Sequence, residues 1–328
     1  MLLRSTSLRS YRFKAAEAAR TTRMRFISSA TSSVVKKQVG FVGLGNMGWP
    51  MCCSLLAKGH TMMALDLSSD AIQRAKQVGI HTAESLYDIG NSCNIIFTML
   101  PGCQAVHHVM PELLQSLTHP SILVDCSTVS PTTSRTWHAA AAQQGHIFVD
   151  APVSGGVKGA TEATLTFMVG STDNEVLAKV TPYLECMGAR IISCGGPGTG
   201  SATKLCNNLA LATQMIGICE AMNLGESLGV DPQTLANVMN TSTAKCWSSE
   251  INNPHPEVAR LGPAANDYQG GFGTNLMLKD LTLAVAAGQS VGVVLPLGAA
   301  SRELYGLSAL RGWGNKDFGS MLQFLRGK

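Results

Sequence analysis

Residues Val39-Gly40-Phe41-Val42-Gly43-Leu44-Gly45-Asn46-Met47-Gly48 set a short apolar run against a turn with glycine at its first, third and sixth places. Glycine at Gly43 permits a tight turn off a strand, at Gly45 it lets backbone approach a pyrophosphate, and at Gly48 it allows close helix–strand packing. The stretch Gly43, Leu44, Gly45, Asn46, Met47 and Gly48 therefore reads as a dinucleotide turn, with helix N-terminal N–H groups facing the anion. A second apolar run, Thr61-Met62-Met63-Ala64-Leu65, ends on Asp66. An acid about 20 residues beyond such a turn is placed to accept hydrogen bonds from the adenosine ribose hydroxyls. Its carboxylate would repel an extra phosphate, and Leu67-Ser68-Ser69 supplies no arginine, so NAD is expected rather than NADP. A purely structural glycine turn is the alternative.

From residue 38 onward, apolar strands near 39–43, 61–66, 93–99, 121–126 and 146–150 alternate with helix-length segments such as Ser68–Val78 and Pro131–Gln144. That order predicts an α/β fold with a Rossmann-type doubly wound parallel sheet. Further strands are expected at Leu165–Val169 and Arg190–Ser193. A Gly/Pro cluster at residues 195–200 then breaks the alternation, and Ser201–Leu228 reads as one helix without proline. At about 1.5 Å per residue it approaches 40 Å, long enough to link two domains. The expected organisation is an NAD-binding domain over 38–200, followed over 201–328 by the linking helix and an all-α C-terminal domain. Within the latter, residues 252–273 form a long Pro/Gly-rich loop of the kind that is usually functional or interfacial.

The 45% hydrophobic and 14% charged content over 328 residues suits an ordered chain large enough for two cores. Residues 1–37 hold nine Lys/Arg and the single acid Glu17, a net +8 within a total of +4, which leaves −4 for the rest. A mildly acidic body lacks the basic field that phosphate-backbone binding needs, so no nucleic-acid partner is expected. The Arg/Ser/Thr-rich, acid-poor segment 1–37 has the composition of a mitochondrial transit peptide, cleaved on delivery to the matrix, with a disordered basic tail as the alternative. The longest apolar stretch, Leu205–Leu224, is interrupted by Asn207, Asn208, Gln214 and Glu220, so no membrane span is expected. Ten dispersed cysteines form no disulfide framework, and neither they nor the eight histidines show metal-ligand spacing; no metal is expected.

After the strand ending at Asp150, the small residues Ala151-Pro152-Val153-Ser154-Gly155-Gly156 lie where open α/β sheets bind ligands. The Ser154 hydroxyl with the N–H groups of Gly155 and Gly156 forms a concave anion site suited to a carboxylate, or equally a structural turn. Lys204 and Asn208 share one face of the long helix. Oxidising an alcohol requires a positioned acid/base, and a lysine serves when burial or cationic neighbours lower its pKa. An ordinary helix surface is the competing reading of that pair.

The glycine turn, Asp150–Gly170, Gly198–Asn208, Cys246-Trp247-Ser248-Ser249, Asn266–Gly273, Lys279-Asp280 and Lys316-Asp317-Phe318 together resemble the β-hydroxyacid dehydrogenase family across essentially 38–328. The resemblance implies a catalytic Lys204, substrate binding by Ser154, Gly155, Gly156 and Asn208, and cofactor contacts from Leu100, Pro101, Thr128 and Lys279. It further implies NAD-dependent oxidation of a small 3-hydroxy acid, (S)-3-hydroxyisobutyrate to methylmalonate semialdehyde in valine degradation, by a homo-oligomer (dimer or tetramer). Another short 3-hydroxy acid dehydrogenase, a tartronate semialdehyde reductase, or a non-catalytic cofactor-binding scaffold are the alternatives. Two positions depart from the family pattern: Ala163, where glycine is usual, and Ala105, where related enzymes offer a polar contact.

Overall fold

The computed structural model describes residues 38–328; the expected transit segment lies outside the described residues. β1 (Gln38–Val42) is followed by α1 (Gly48–Ala57), β2 (Met62–Leu65), α2 (Ser69–Gln77), β3 (His81–Thr82), α3 (Leu86–Ser92) and β4 (Cys93–Thr98). Then come α4 (Cys103–Ser116), β5 (Ile122–Asp125), α5 (Pro131–Gln143) and β6 (Ile147–Asp150). All six strands are parallel, in the order β3-β2-β1-β4-β5-β6. Successive residues serve opposite faces: Phe41, Phe97, Val124 and Val149 enter one apolar core, while Val42, Ile96, Leu123 and Phe148 enter the other. The order reverses between β1 and β4, which opens the ligand crevice at their C-terminal ends. Local chemistry starts the helices: Ser68 accepts from the Ala71 N–H, Ser85 and Asp88 form a capping box, and Ser130 caps α5 with Pro131 in its first turn.

β7 (Val153–Ser154), α6 (Gly156–Thr161), β8 (Leu165–Val169), α7 (Asn174–Leu184) and β9 (Gly188–Ser193) complete this half. β8 and β9 are the two further strands expected, β9 beginning two residues early, but they do not extend the main sheet. They form a separate three-stranded sheet in which β7 runs antiparallel to β8 and β9 parallel to it. Pro152, which has no N–H to donate, stands where the ladder beyond β6 would have to continue.

The helical half comprises α8 (Thr199–Ser227), α9 (Pro232–Thr241), α10 (Trp247–Glu250), a 3-10 turn at Pro263–Asn266, α11 (Thr274–Ser290), α12 (Pro296–Ser308) and α13 (Met321–Leu325). The 29 residues of α8 bury a stripe that includes Lys204, Asn208, Ala212, Met215, Cys219 and Met222. Its lower part packs with Met277, Leu281, Tyr305 and Phe318 in the third core. The long loop 252–273 is tied down: Tyr268 Oη donates to the Pro254 carbonyl, and Asp317 accepts from the Phe272 N–H and the Asn252 amide. The linking helix starts at Thr199 rather than Ser201, because a tertiary partner caps it. Asp150 at the end of β6 accepts from the Gly198 N–H through one oxygen and the Ser201 N–H through the other, each at 2.8 Å.

Candidate active site

The glycine turn meets the geometric demands placed on it. Gly43 has φ +96°, and a Cβ there would lie 2.4 Å from the Met99 carbonyl; a Cβ on Gly48 would lie 1.9 Å from the Gly43 carbonyl. Gly45 differs: the direction of its absent Cβ meets no atom within 4 Å, leaving open space over the turn. Without a Cβ at Gly45 this opening leaves the backbone of the turn unshielded, which is compatible with the expected approach of a pyrophosphate. Asp66 is already engaged, with Oδ2 accepting from the Leu44 N–H at 2.6 Å and Oδ1 from the Ser68 N–H at 2.7 Å. A carboxylate has about four acceptor sites, so those two bonds aim Asp66 while leaving lone pairs for ribose hydroxyls.

Lys204 and Asn208 are buried, which removes the ordinary-surface reading of the pair; Lys204 is 8% and Asn208 2% exposed. Burial pulls the lysine pKa below its ordinary value, the Asp280 carboxylate opposes that fall, and the positive charge of Lys279 adds to it. Lys204 Nζ makes no hydrogen bond among the described residues. Asn208 makes no hydrogen bond to the lysine among the described residues: its Nδ2 donates to Asp280 Oδ2 at 2.6 Å, and its Oδ1 accepts from Asn207 Nδ2 at 3.1 Å. Asp280, itself 2% exposed, is thus a functional candidate to which the sequence assigned no role. Its only local signal is a carboxylate on an apolar helix face beside Lys279, and its partner Asn208 lies 72 residues away.

The four cofactor residues implied by resemblance come together. Lys279 Nζ donates to the carbonyls of Pro101 and Thr128, each at 3.2 Å, and lies 3.3 Å from Asp280 Oδ1. The Leu100 N–H donates to Ser127 Oγ at 2.8 Å, and the Leu100 side chain stands against Gly43. Lys279 thereby spans from α11 to both loops that follow β4 and β5. Ser154, Gly155 and Gly156 follow the Asp150 anchor by a few residues, with Gly155 at φ +136° and Gly156 at φ +63°. These two consecutive glycines expose backbone N–H groups on a sharp turn. No hydrogen bond links Ser154 to Lys204 or Asn208 among the described residues. Ala163 adopts φ +55°, a left-handed conformation that explains why glycine suits this position better. No group of three or more His, Cys, Asp and Glu side chains fit to hold a metal ion occurs among the described residues, and no helix there is long and apolar enough to cross a membrane.

Comparison with known proteins accounts for both halves. Residues 38–196 match the family model for the NAD binding domain of 6-phosphogluconate dehydrogenase, and residues 198–325 the one for NAD-binding of NADP-dependent 3-hydroxyisobutyrate dehydrogenase. The chain is 43% identical over 305 residues to a probable mitochondrial 3-hydroxyisobutyrate dehydrogenase of Dictyostelium discoideum, covering 92% of this chain and 94% of the relative. It is 41% identical over 305 residues to the mitochondrial 3-hydroxyisobutyrate dehydrogenase of Homo sapiens, covering 92% and 90%. Among solved structures, the Mycobacterium tuberculosis 3-hydroxyisobutyrate dehydrogenase with L-serine superposes with a TM-score of 0.84 at 39% identity, covering 88% of this chain and 99% of that one. With its Rossmann half, long helix and helical C-terminal half matched together, the chain belongs to the 3-hydroxyisobutyrate dehydrogenase family.

Proposed function

We propose that this chain oxidises (S)-3-hydroxyisobutyrate to methylmalonate semialdehyde with NAD, as a step of valine degradation. The observation that carries the reading is the buried Lys204 amine, its pKa pulled down by desolvation, on a helix anchored to the strand that leads into Ser154-Gly155-Gly156. NAD, held by the glycine turn at residues 43–48 and by Asp66, would supply the hydride acceptor. In its neutral form Lys204 takes the hydroxyl proton as the hydride leaves. The Ser154 hydroxyl and the N–H groups of Gly155 and Gly156 hold the substrate carboxylate, and Asn208, fixed by Asp280, orients the hydroxyl. Lys279, donating to the Pro101 and Thr128 carbonyls, ties the helical half to the two loops that would receive the cofactor. Asp66 selects NAD over NADP.

A panel of short 3-hydroxy acids assayed with NAD and with NADP, on purified protein lacking residues 1–37, tests this. Highest kcat/KM for (S)-3-hydroxyisobutyrate with NAD supports it; no turnover of any hydroxy acid would overturn it in favour of a scaffold. L-serine, the molecule named with the Mycobacterium tuberculosis structure, is the specific second substrate to include. The reading also places the enzyme in the mitochondrial matrix as a dimer or tetramer. Residues 281–301 hold no charged side chain, and Val291, Val294 and Leu297 within them are exposed, which favours self-association. Import of a reporter fused to residues 1–37, and light scattering of the purified protein, check these two points.

A further inference from the structure

β4, β5 and β6 end side by side on Thr98, Asp125 and Asp150, which are register partners across the sheet. Asp150 anchors the catalytic helix; Asp125, fully buried in the middle, has no part in the proposed reaction. Its Oδ1 accepts from Thr98 Oγ1 at 2.8 Å and from the Ser127 N–H at 3.1 Å. Ser127 Oγ in turn receives the Leu100 N–H, and farther out the Ser130 N–H donates to Cys103 Sγ at 3.3 Å. The loops after β4 and β5 are therefore stitched together, and Asp125 sits at the root of the seam. Above it the two loops present the Pro101 and Thr128 carbonyls to Lys279. Among the described residues the other Asp125 oxygen is buried without a hydrogen-bond partner, an expensive arrangement for a residue that only filled space.

We propose that Asp125 is a positioning residue: through Thr98, Ser127 and Leu100 it fixes the pair of loop carbonyls that receive Lys279, and so sets how the helical half closes on the cofactor. The proposal rests on the reading of the crevice as an NAD site. It deepens that reading by naming what holds the receiving side of the Lys279 contact in place.

The test is a double-mutant cycle on NAD affinity in the full-length protein, measured by titration without hydroxy acid. Asp125→Ala and Lys279→Ala should each weaken NAD binding by about tenfold, the scale of one lost hydrogen-bonded contact. The double variant should bind no more weakly than the worse single one, because both changes disable the same contact. Asp125→Asn, which keeps an acceptor oxygen for Thr98 and Ser127, should recover most of the loss seen with alanine. Independent, multiplying effects overturn the proposal, as does native NAD affinity in Asp125→Ala. Should Asp125→Ala fail to fold, Ser127→Ala and Thr98→Val carry the same cycle with the same criteria. Failure to oxidise 3-hydroxyisobutyrate would sink the proposed substrate while leaving the affinity cycle readable, and a protein that binds no NAD would overturn both.

Discussion

Gly200 in the first turn of α8 should be one of the least replaceable residues in the chain. A methyl group there would lie 2.2 Å from the Met168 carbonyl oxygen, 2.9 Å from Asp150 Oδ2 and 3.0 Å from the Asp150 carbonyl. Two of those neighbours are backbone and the third is a carboxylate fixed by two bonds, so in Gly200→Ala the helix has to retreat. Restoring ordinary contact requires a displacement of about 1 Å. The Ser201 N–H bond to Asp150, now 2.8 Å, would open beyond hydrogen-bonding range. Losing that charge-assisted bond costs about 1.5–3 kcal/mol, a fall in Tm of several degrees. Lys204 lies one turn farther along and would move with the helix; a misplacement of about 1 Å in a reacting group can cost about 100-fold in rate. NAD affinity should change little, since the glycine turn lies on a different loop. Gly217 on the same helix provides the contrast, because a Cβ there meets nothing within 4 Å. Gly217→Ala should be neutral or stabilising by up to about 1 kcal/mol. The assay is kcat at saturating NAD beside thermal unfolding of both variants. A Gly200→Ala enzyme with native kcat and Tm would refute the argument that the Asp150 anchor sets the position of Lys204.

Lys204→Ala should lower turnover by about 100-fold or more with NAD binding intact, and Lys204→Arg, which cannot give up its proton, should not rescue it. The same lysine makes a stability prediction. Its folded-state pKa lies below the unfolded value, so between the two the unfolded chain binds the extra proton and stability climbs with rising pH. Lys204→Met should abolish that climb and raise Tm at neutral pH; an unaltered Tm–pH curve counts against it. Asp280→Asn removes the anion that supports the Lys204 charge, so the amine becomes neutral at lower pH and the acid limb of the oxidation profile should shift to lower pH. A limb that stays put, or moves upward, contradicts the coupling. Ala163→Gly relieves a left-handed alanine worth about 1–2 kcal/mol, partly offset by the greater chain entropy of glycine, and should raise Tm by roughly 1–3 °C. Asp66→Ala should weaken NAD binding and narrow discrimination against NADP, whereas an unchanged preference would mean that some other group selects the cofactor.

What the chain reveals by itself follows the range of the interactions involved. The glycine turn, Asp66, the alternation of strands and helices and the long α8 all declare themselves through local spacing. β3 and β7 are two-residue strands, too short to show a period, and exist only through pairing with β2 and β8. The split into two sheets is likewise a matter of partners rather than of propensity. At the site, burial of Lys204 and Asn208 was ambiguous in sequence because α8 is apolar on most sides, so its polar residues do not advertise which of them face inward. Lys279 reaches carbonyls 178 and 151 residues away, a contact that no periodicity encodes. Family resemblance pointed to Lys279, and the fold shows which carbonyls its amine engages.

The carboxylates show why the remainder stayed hidden. Asp66, Asp125 and Asp150 each stand at or just past the C-terminal end of a strand of the main sheet, and each accepts from backbone N–H groups, Asp66 and Asp125 from the adjoining loops and Asp150 from the start of α8. In sequence they look alike: one acid closing an apolar run. The dinucleotide-turn spacing singles out only Asp66, although all three use a carboxylate at a strand end to fix nearby backbone N–H groups. Their burial has a cost that differs between them. Asp125, with one oxygen lacking a hydrogen-bond partner among the described residues and Asp150 nearby, is pushed up to about 6, chiefly by desolvation. Because that folded-state pKa is raised, the folded chain holds the extra proton between the unfolded value and about 6, and the associated stability falls away as pH rises through that window. At neutral pH the enzyme therefore holds Asp125 ionised at some expense. Such an expense at a strand end, beneath the two loops that grip Lys279, is what a fold tolerates when the geometry above it matters more than the stability below.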